Sequence, residues 1–252
     1  STQAKTLFPY TTLFRSAVAA TALSAFASSP ASRDNFVISD IRDKSNKMLS
    51  EIMKSNEYYK KTKTYSFFQG FVASQAPRVT LVACSDSRFQ VAAIDDTPEN
   101  DIFVIRNIGN QFSSNMGSVE YGVHHLHTPL LVILGHSRCG AIKAAMSDYS
   151  GEGASIRKEL DSLSVSINKA KKASYSKDEW LNGVVSNVHQ QVAFAKSEFA
   201  EAVESGKLTI VGMVYDFAND FRDGYGKVKV VNANGETDLN KIKEMPVFRG
   251  VL

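Results

Sequence analysis

Four short, almost uninterrupted apolar runs constrain this chain more than any other feature. Residues 78–84 (RVTLVAC), 101–106 (DIFVIR), 130–134 (LLVIL) and 208–215 (LTIVGMVY) are rich in β-branched side chains. They lack the strict alternation of a half-solvated strand, so they fit strands buried on both faces, as in a parallel sheet covered by helices. Helical patterns lie between them, over residues 118–127, 141–146 and a long polar-faced stretch, 155–205. This alternation predicts an α/β fold: a mainly parallel β-sheet flanked by helices. A hairpin-like end, residues 227–231 followed by Asn234-Gly235, extends one edge. Ahead of the first strand, Ile41, Met48, Leu49, Ile52, Met53, Tyr58 and Tyr59 are spaced among charges over residues 40–64, which predicts an amphipathic helix.

Composition narrows the function classes. The 252 residues carry 29 Lys+Arg against 26 Asp+Glu, a net charge of +3, with 43% hydrophobic and 22% charged residues. That balance excludes disorder and a collagen-like repeat. No run reaches the ~18 apolar residues of a spanning helix, so no membrane partner is expected. The small, dispersed positive charge gives no reason to expect a nucleic-acid partner.

The N-terminus stands outside the expected fold. Residues 6–16 (TLFPYTTLFRS) resemble the in-frame translation of a sequencing adapter and carry no structural weight. Residues 17–32 are small, weakly apolar and uncharged, like the hydrophobic and cleavage regions of a secretory signal, with Ala25-Phe26-Ala27 as the cleavage motif. Export to the periplasm or medium is the resulting expectation, with the cytoplasm as the alternative. Residues 1–32 are therefore read as a disordered leader, and residues 33–252 as one catalytic domain.

Chemistry concentrates at two strand ends. Functional groups in open parallel sheets gather beyond the carboxyl ends of strands. Cys84-Ser85-Asp86-Ser87-Arg88 follows the first run, and Gly135-His136-Ser137-Arg138-Cys139-Gly140 follows the third. Both cysteines of the chain, with one histidine, converge if these strands are neighbours. Two thiolates and an imidazole suit zinc, leaving a fourth tetrahedral position open. Cys139 opens a helical pattern, where a helix N-terminus favours the thiolate. Spacing alone leaves alternatives: buried small apolar cysteines, a core histidine, or a Cys84–Cys139 disulfide.

The full strings CSDSR, RNIGN (residues 106–110) and GHSRCG resemble the β-class carbonic anhydrases, in order, from about residue 41 to residue 216. The resemblance implies that fold with an extending N-terminal helical arm. It also implies one Zn2+ per chain on Cys84, His136 and Cys139, and an Asp86–Arg88 catalytic pair. By the same resemblance, Gln75, Phe103, Tyr121 and Gly140 are candidate contacts for substrate, and Ile108 matches a pocket position that plain core packing also explains. The implied assembly is a homodimer or a dimer-based higher oligomer. The implied reaction is reversible hydration of carbon dioxide to bicarbonate and a proton. A carbon disulfide or carbonyl sulfide hydrolase on the same scaffold, and a non-catalytic zinc-binding scaffold protein, are the alternatives. Leu81 stands where some bacterial members have a tryptophan of a regulatory bicarbonate pocket, which implies that this inhibitory site is absent and Asp86 stays off the metal. His124, His125 and His127 do not share one helix face and are read as solvated or proton-buffering, not as ligands.

Overall fold

A computed structural model describes residues 30–170 and 178–252. Of the expected leader, residues 1–32, the stretch 1–29 lies outside the described residues. The chain divides into two units, one ending at Phe68 and the other running from Gln69 to Leu252. The sheet lies wholly in the second of these units.

In the first unit, helix α1 spans Pro30–Thr62 and is followed by α2, Tyr65–Gln69. Pro30 opens α1, where its missing N–H would have no partner anyway. Three residues assigned to the leader, 30–32, are thus helical. The expected amphipathic segment is present, and Ile41, Met48, Leu49, Ile52 and Met53 are all exposed along it. Lys60 and Lys61 fall in its last turn, the favourable end for positive charge. Among the described residues, no helix is long and apolar enough to cross a membrane.

The second unit holds a five-stranded sheet: β1 Val79–Cys84, β2 Ile102–Asn107, β3 Leu130–His136, β4 Thr209–Asp216 and β5 Lys227–Ala233. Their order is β2-β1-β3-β4-β5. The first four are parallel and β5 is antiparallel to β4. All four apolar runs form the expected strands, and the hairpin-like end supplies the fifth at an edge. Asn234 and Gly235 take left-handed torsions just after it, at φ 51° and 91°.

The helices of this unit are α3 Met116–Glu120, which runs on as a π-turn over Tyr121–His125, then α4 Gly140–Ala145 and α5 Ala154–Ala170. α6 Glu179–Glu198, α7 Ala200–Glu204 and α8 Leu239–Glu244 complete the set. Alternate strand residues bury on opposite faces. Val82, Leu131, Ile133, Ile210 and Val214 meet Leu160 and Leu163 of α5 and Val184, Val188 and Val192 of α6. Leu81, Ala83, Val132 and Leu134 pack on the other face with Phe89. Each fully buried Val or Leu contributes roughly 1.5–3 kcal/mol, which explains why these runs contain almost no polar residue.

One expectation needs correction. The 155–205 stretch is not polar-faced throughout: α6 is buried along most of its length, including Asn182, Ser186, Asn187, Gln190 and Gln191. It seats closely because Gly135 of β3 has no side chain; a Cβ there would meet Val188 Cγ2 at 2.7 Å. Asp178 starts the helix, its carboxylate accepting hydrogen bonds from the N–H groups of Trp180 and Leu181.

Candidate metal centre

Adjacent parallel strands bring the two chemical strings together. β1 and β3 pair from Val79↔Leu130 to Ala83↔Leu134, so Cys84 and the Gly135-His136 end emerge side by side. The chain then turns sharply through Ser137 and Arg138, the latter left-handed at φ 55°, and Cys139 becomes the N-cap of α4. The donor atoms of Cys84, His136 and Cys139, all buried, lie within 4.8 Å of one another. The two sulfurs are 3.9 Å apart and both cysteines are free, so the disulfide alternative falls away.

His136 is held by one ring nitrogen. Its Nδ1 donates to the Ser137 carbonyl oxygen at 2.9 Å, leaving the Nε2 lone pair directed elsewhere. Nε2 is buried and has no hydrogen-bond partner. A buried nitrogen without a partner costs on the order of 1–3 kcal/mol, so a cation there would satisfy an atom the protein does not. Two sulfurs and an imidazole nitrogen are a fitting donor set for zinc, and the Nδ1 bond fixes the imidazole in the ligating orientation.

Without an ion, the thiols divide one proton unequally. The hydrogen bond from Cys139, aided by His136 and the Gly109 N–H, brings Cys84 down to about 4. The same Cys84 contact, together with burial, pushes Cys139 well up. The N–H groups of Ala141 and Ile142 favour the Cys139 thiolate, as expected of a helix N-terminus, yet the neighbouring sulfur outweighs them. The local expectation for Cys139 is thus reversed in the metal-free pair.

Asp86 stands beside this cluster but outside it. Its Oδ2 is 3.8 Å from His136 Nε2. Arg88 grips both carboxylate oxygens: Nε donates to Oδ1 at 2.9 Å and Nη2 to Oδ2 at 2.6 Å. The Arg88 backbone N–H adds a third bond at 3.0 Å. These contacts hold the Asp86 carboxyl at about 2, with the guanidinium as the main cause. The guanidinium also donates to the Arg138 carbonyl at 2.9 Å and lies 4.7 Å from the Phe217 ring centre.

Residues outside the obvious strings hold the loops in place. Arg106 donates to the carbonyls of Cys84, Asp86 and Phe89, tying down the turn that carries the carboxylate. Arg138 bridges Asp178 and Asp220, while Trp180 Nε1 donates to the Cys139 carbonyl at 2.9 Å. Phe217 stacks on His136 at 5.9 Å. The last of these follow β4, a third strand end, so the strand-end rule extended to residues 216–220 would have found them.

Other expected residues are placed differently. Gln75 is exposed ahead of β1. Phe103 of β2 packs at the margin of the core, and its ring centre is 5.8 Å from that of Tyr121, which is 43% exposed. Gly140 is the first residue of α4. Ile108 is half-buried just after β2. His124, His125 and His127 are exposed, and none joins a metal-binding group among the described residues.

A mainly parallel sheet carrying a three-donor cluster and a clamped carboxylate at its strand ends defines an α/β protein with a candidate metal site. The carbonic anhydrase family model matches residues 79–224. "Carbonic anhydrase 2" of Mycobacterium tuberculosis is 32% identical over 170 residues, covering 63% of this chain and 81% of that one. The carbonic anhydrase of Mycolicibacterium smegmatis is 33% identical over 151 residues, 58% of this chain and 73% of its own. A tetrameric β-carbonic anhydrase of Sordaria macrospora superposes with a TM-score of 0.63 at 25% identity, covering 74% of this chain and 98% of that chain. The Coccomyxa β-carbonic anhydrase in complex with acetazolamide gives 0.64 at 26% identity, covering 78% and 91%. This chain belongs to the β-class carbonic anhydrase family.

Proposed function

We propose that the protein carries out reversible hydration of carbon dioxide to bicarbonate and a proton, with one zinc held by Cys84, His136 and Cys139. The observation that carries the proposal is the buried, unpartnered His136 Nε2 facing two buried cysteine sulfurs. A bound zinc supplies Lewis acidity, which makes water nucleophilic near neutral pH.

The chain's own residues supply the rest. Asp86 is ionised at every working pH, since Arg88 holds it at about 2. It can therefore only accept a hydrogen bond from the attacking water, which turns a lone pair of that water towards carbon. Arg88 fixes the aim of the carboxylate by gripping both oxygens, and it keeps Asp86 from swinging in as a fourth ligand. Carbon dioxide offers little to hydrogen-bond, so an apolar wall suits it; Phe103 and Tyr121, with Gln75 and Gly140 as polar and backbone contacts, are the proposed substrate residues.

The same proposal includes a homodimer or dimer-based assembly, which the tetrameric Sordaria relative supports, and export directed by residues 17–32. Stopped-flow hydration with zinc quantification tests the central claim. The native protein should bind about one zinc per chain and hydrate carbon dioxide, and Cys139→Ser should lose metal and activity together. Full zinc retention in that variant refutes the ligand set. Sulfide release from carbon disulfide or carbonyl sulfide, without carbon dioxide hydration, would replace the proposed substrate.

A further inference from the structure

Beneath the ligand loops runs a line of buried amides that the hydration chemistry leaves unused. α6 presents Asn187 and Gln191 one turn apart, 1% and 2% exposed, beside Val184, Val188 and Val192. The Phe112 N–H donates to Gln191 Oε1 at 2.9 Å. Gln191 Nε2 donates to Asn187 Oδ1 at 3.0 Å, and Asn187 Nδ2 donates to the Gly109 carbonyl at 2.8 Å. The Gly109 N–H donates in turn to Cys84 Sγ at 3.3 Å. The line ends on the sulfur of a ligand.

Gly109 is the soft joint in this line. The peptide that donates to Cys84 and the peptide whose carbonyl Asn187 holds are adjacent planes that meet at its Cα. Its φ is +78°, and a Cβ there would meet Leu163 Cδ1 at 2.7 Å, so a stiffer residue does not fit. A glycine freed at one end samples other torsions readily and would carry its N–H off the sulfur. Asn187 restrains that end, and Gln191 restrains Asn187.

We infer that Asn187, braced by Gln191, is a positioning residue for the metal centre: by fixing Gly109 it keeps a hydrogen-bond donor on Cys84 Sγ. That N–H draws charge from the thiolate, so the sulfur gives less to the ion and leaves it a stronger Lewis acid. Two thiolates nearly cancel the charge of a divalent cation, which makes each such withdrawal count. The inference rests on the proposal that Cys84, His136 and Cys139 hold the ion.

The test uses the full chain loaded with cobalt(II), whose thiolate-to-metal charge-transfer band reports the electron density on sulfur. Asn187→Leu should move that band to longer wavelength and lower the hydration rate on the order of 10-fold. Gln191→Leu should move it in the same direction by less. In the unaltered protein, nitrogen-15 labelled and loaded with cadmium-113, the Gly109 amide should show scalar coupling to cadmium through the Cys84 sulfur. If the unaltered protein binds neither cobalt nor cadmium, the metal-site proposal fails. If it binds them without coupling at Gly109, or if a folded Asn187→Leu keeps the native band, the positioning role is overturned. Where Asn187→Leu does not fold, the Gln191→Leu band and the Gly109 coupling decide.

Discussion

Replacing Arg88 with leucine isolates what the guanidinium does for Asp86. The native pair lowers the carboxyl to about 2 from an ordinary 3.8. A shift of that size is about 2.5 kcal/mol of preference for the ionised form. The Arg88 side chain is 49% exposed, against 15% for Asp86, so solvent screens part of it and about 1–2 kcal/mol remains as stability. Because the folded-state value lies below the unfolded one, this contribution is fully present above about pH 4 and is lost as pH falls through about 2. In the variant, burial of Asp86 is opposed only by the backbone N–H of residue 88 and by His136, so the carboxyl rises from about 2. Urea unfolding of the chelator-stripped protein is the cleanest assay, since metal binding is itself linked to protons. Native and variant should differ by about 1–2 kcal/mol near pH 7 and converge near pH 2. The zinc-loaded variant should keep its metal and lose hydration activity on the order of 100-fold. A gap that stays constant from pH 7 to 2 would show that Arg88 acts by packing on Phe217 and bonding the Arg138 carbonyl. An unchanged hydration rate would refute its role in aiming Asp86.

Three further outcomes follow from the same geometry. In chelator-stripped protein near neutral pH, a small alkylating reagent should label Cys84 before Cys139, because Cys84 is held at about 4 and Cys139 is pushed up; peptide mass mapping showing the reverse order would contradict that division of the proton. Gly135→Ala should cost about 1–3 kcal/mol in thermal or urea unfolding, since its Cβ would meet Val188 at 2.7 Å in a packed interface; a neutral result would mean that α6 shifts freely. Activity should rise from about pH 6.5 to 8.5 without a cooperative acid shut-off, because Arg88 already occupies both Asp86 oxygens and Leu81 is sealed in the sheet; steep inactivation deepened by bicarbonate near pH 7 would show that Asp86 leaves Arg88 after all.

The strands were legible because one physical demand, burial on both faces, shaped every residue in them. Val82 packs in the core layer that includes α6, while Leu81 and Ala83 face the opposite layer, so both parities are almost wholly apolar. Buried Thr80 is accommodated by its hydrogen bond to Thr128. The ligands were legible for a different reason. Thiols and an imidazole are chemically scarce, and here Cys84 and His136 end two neighbouring strands while Cys139 follows three residues later. What depends on contacts between distant segments was not legible. Arg138 finds Asp178 and Asp220 only because the start of α6 and the end of β4 converge on one loop. The local rule for Cys139 failed in the same way: a helix N-terminus acts through two N–H groups, whereas Cys84, fifty-five positions earlier, acts through a sulfur 3.9 Å away.

The misreading of α6 has a sharper origin. The expected polar face over residues 155–205 follows from the rule that polarity in a helix usually marks the side turned to water. Yet Leu181, Val184, Val185, Val188, Val192 and Ala195 form a continuous stripe at steps of three and four, and all are buried. Asn187 and Gln191 each immediately precede a valine of that stripe, which places them at its margin and not opposite it. A helix laid on a sheet buries its margins as well as its centre, and amides there survive burial only when they are bonded. The groups met at that margin are the Gly109 carbonyl and the Phe112 N–H, in a loop whose Gln111 backbone is already bonded by Asn107 of β2. Polar residues flanking an apolar stripe, opposite a Gly-Asn turn, are therefore the pattern of a helix that completes a neighbouring loop's hydrogen bonds. Here that loop carries the N–H that meets the Cys84 sulfur.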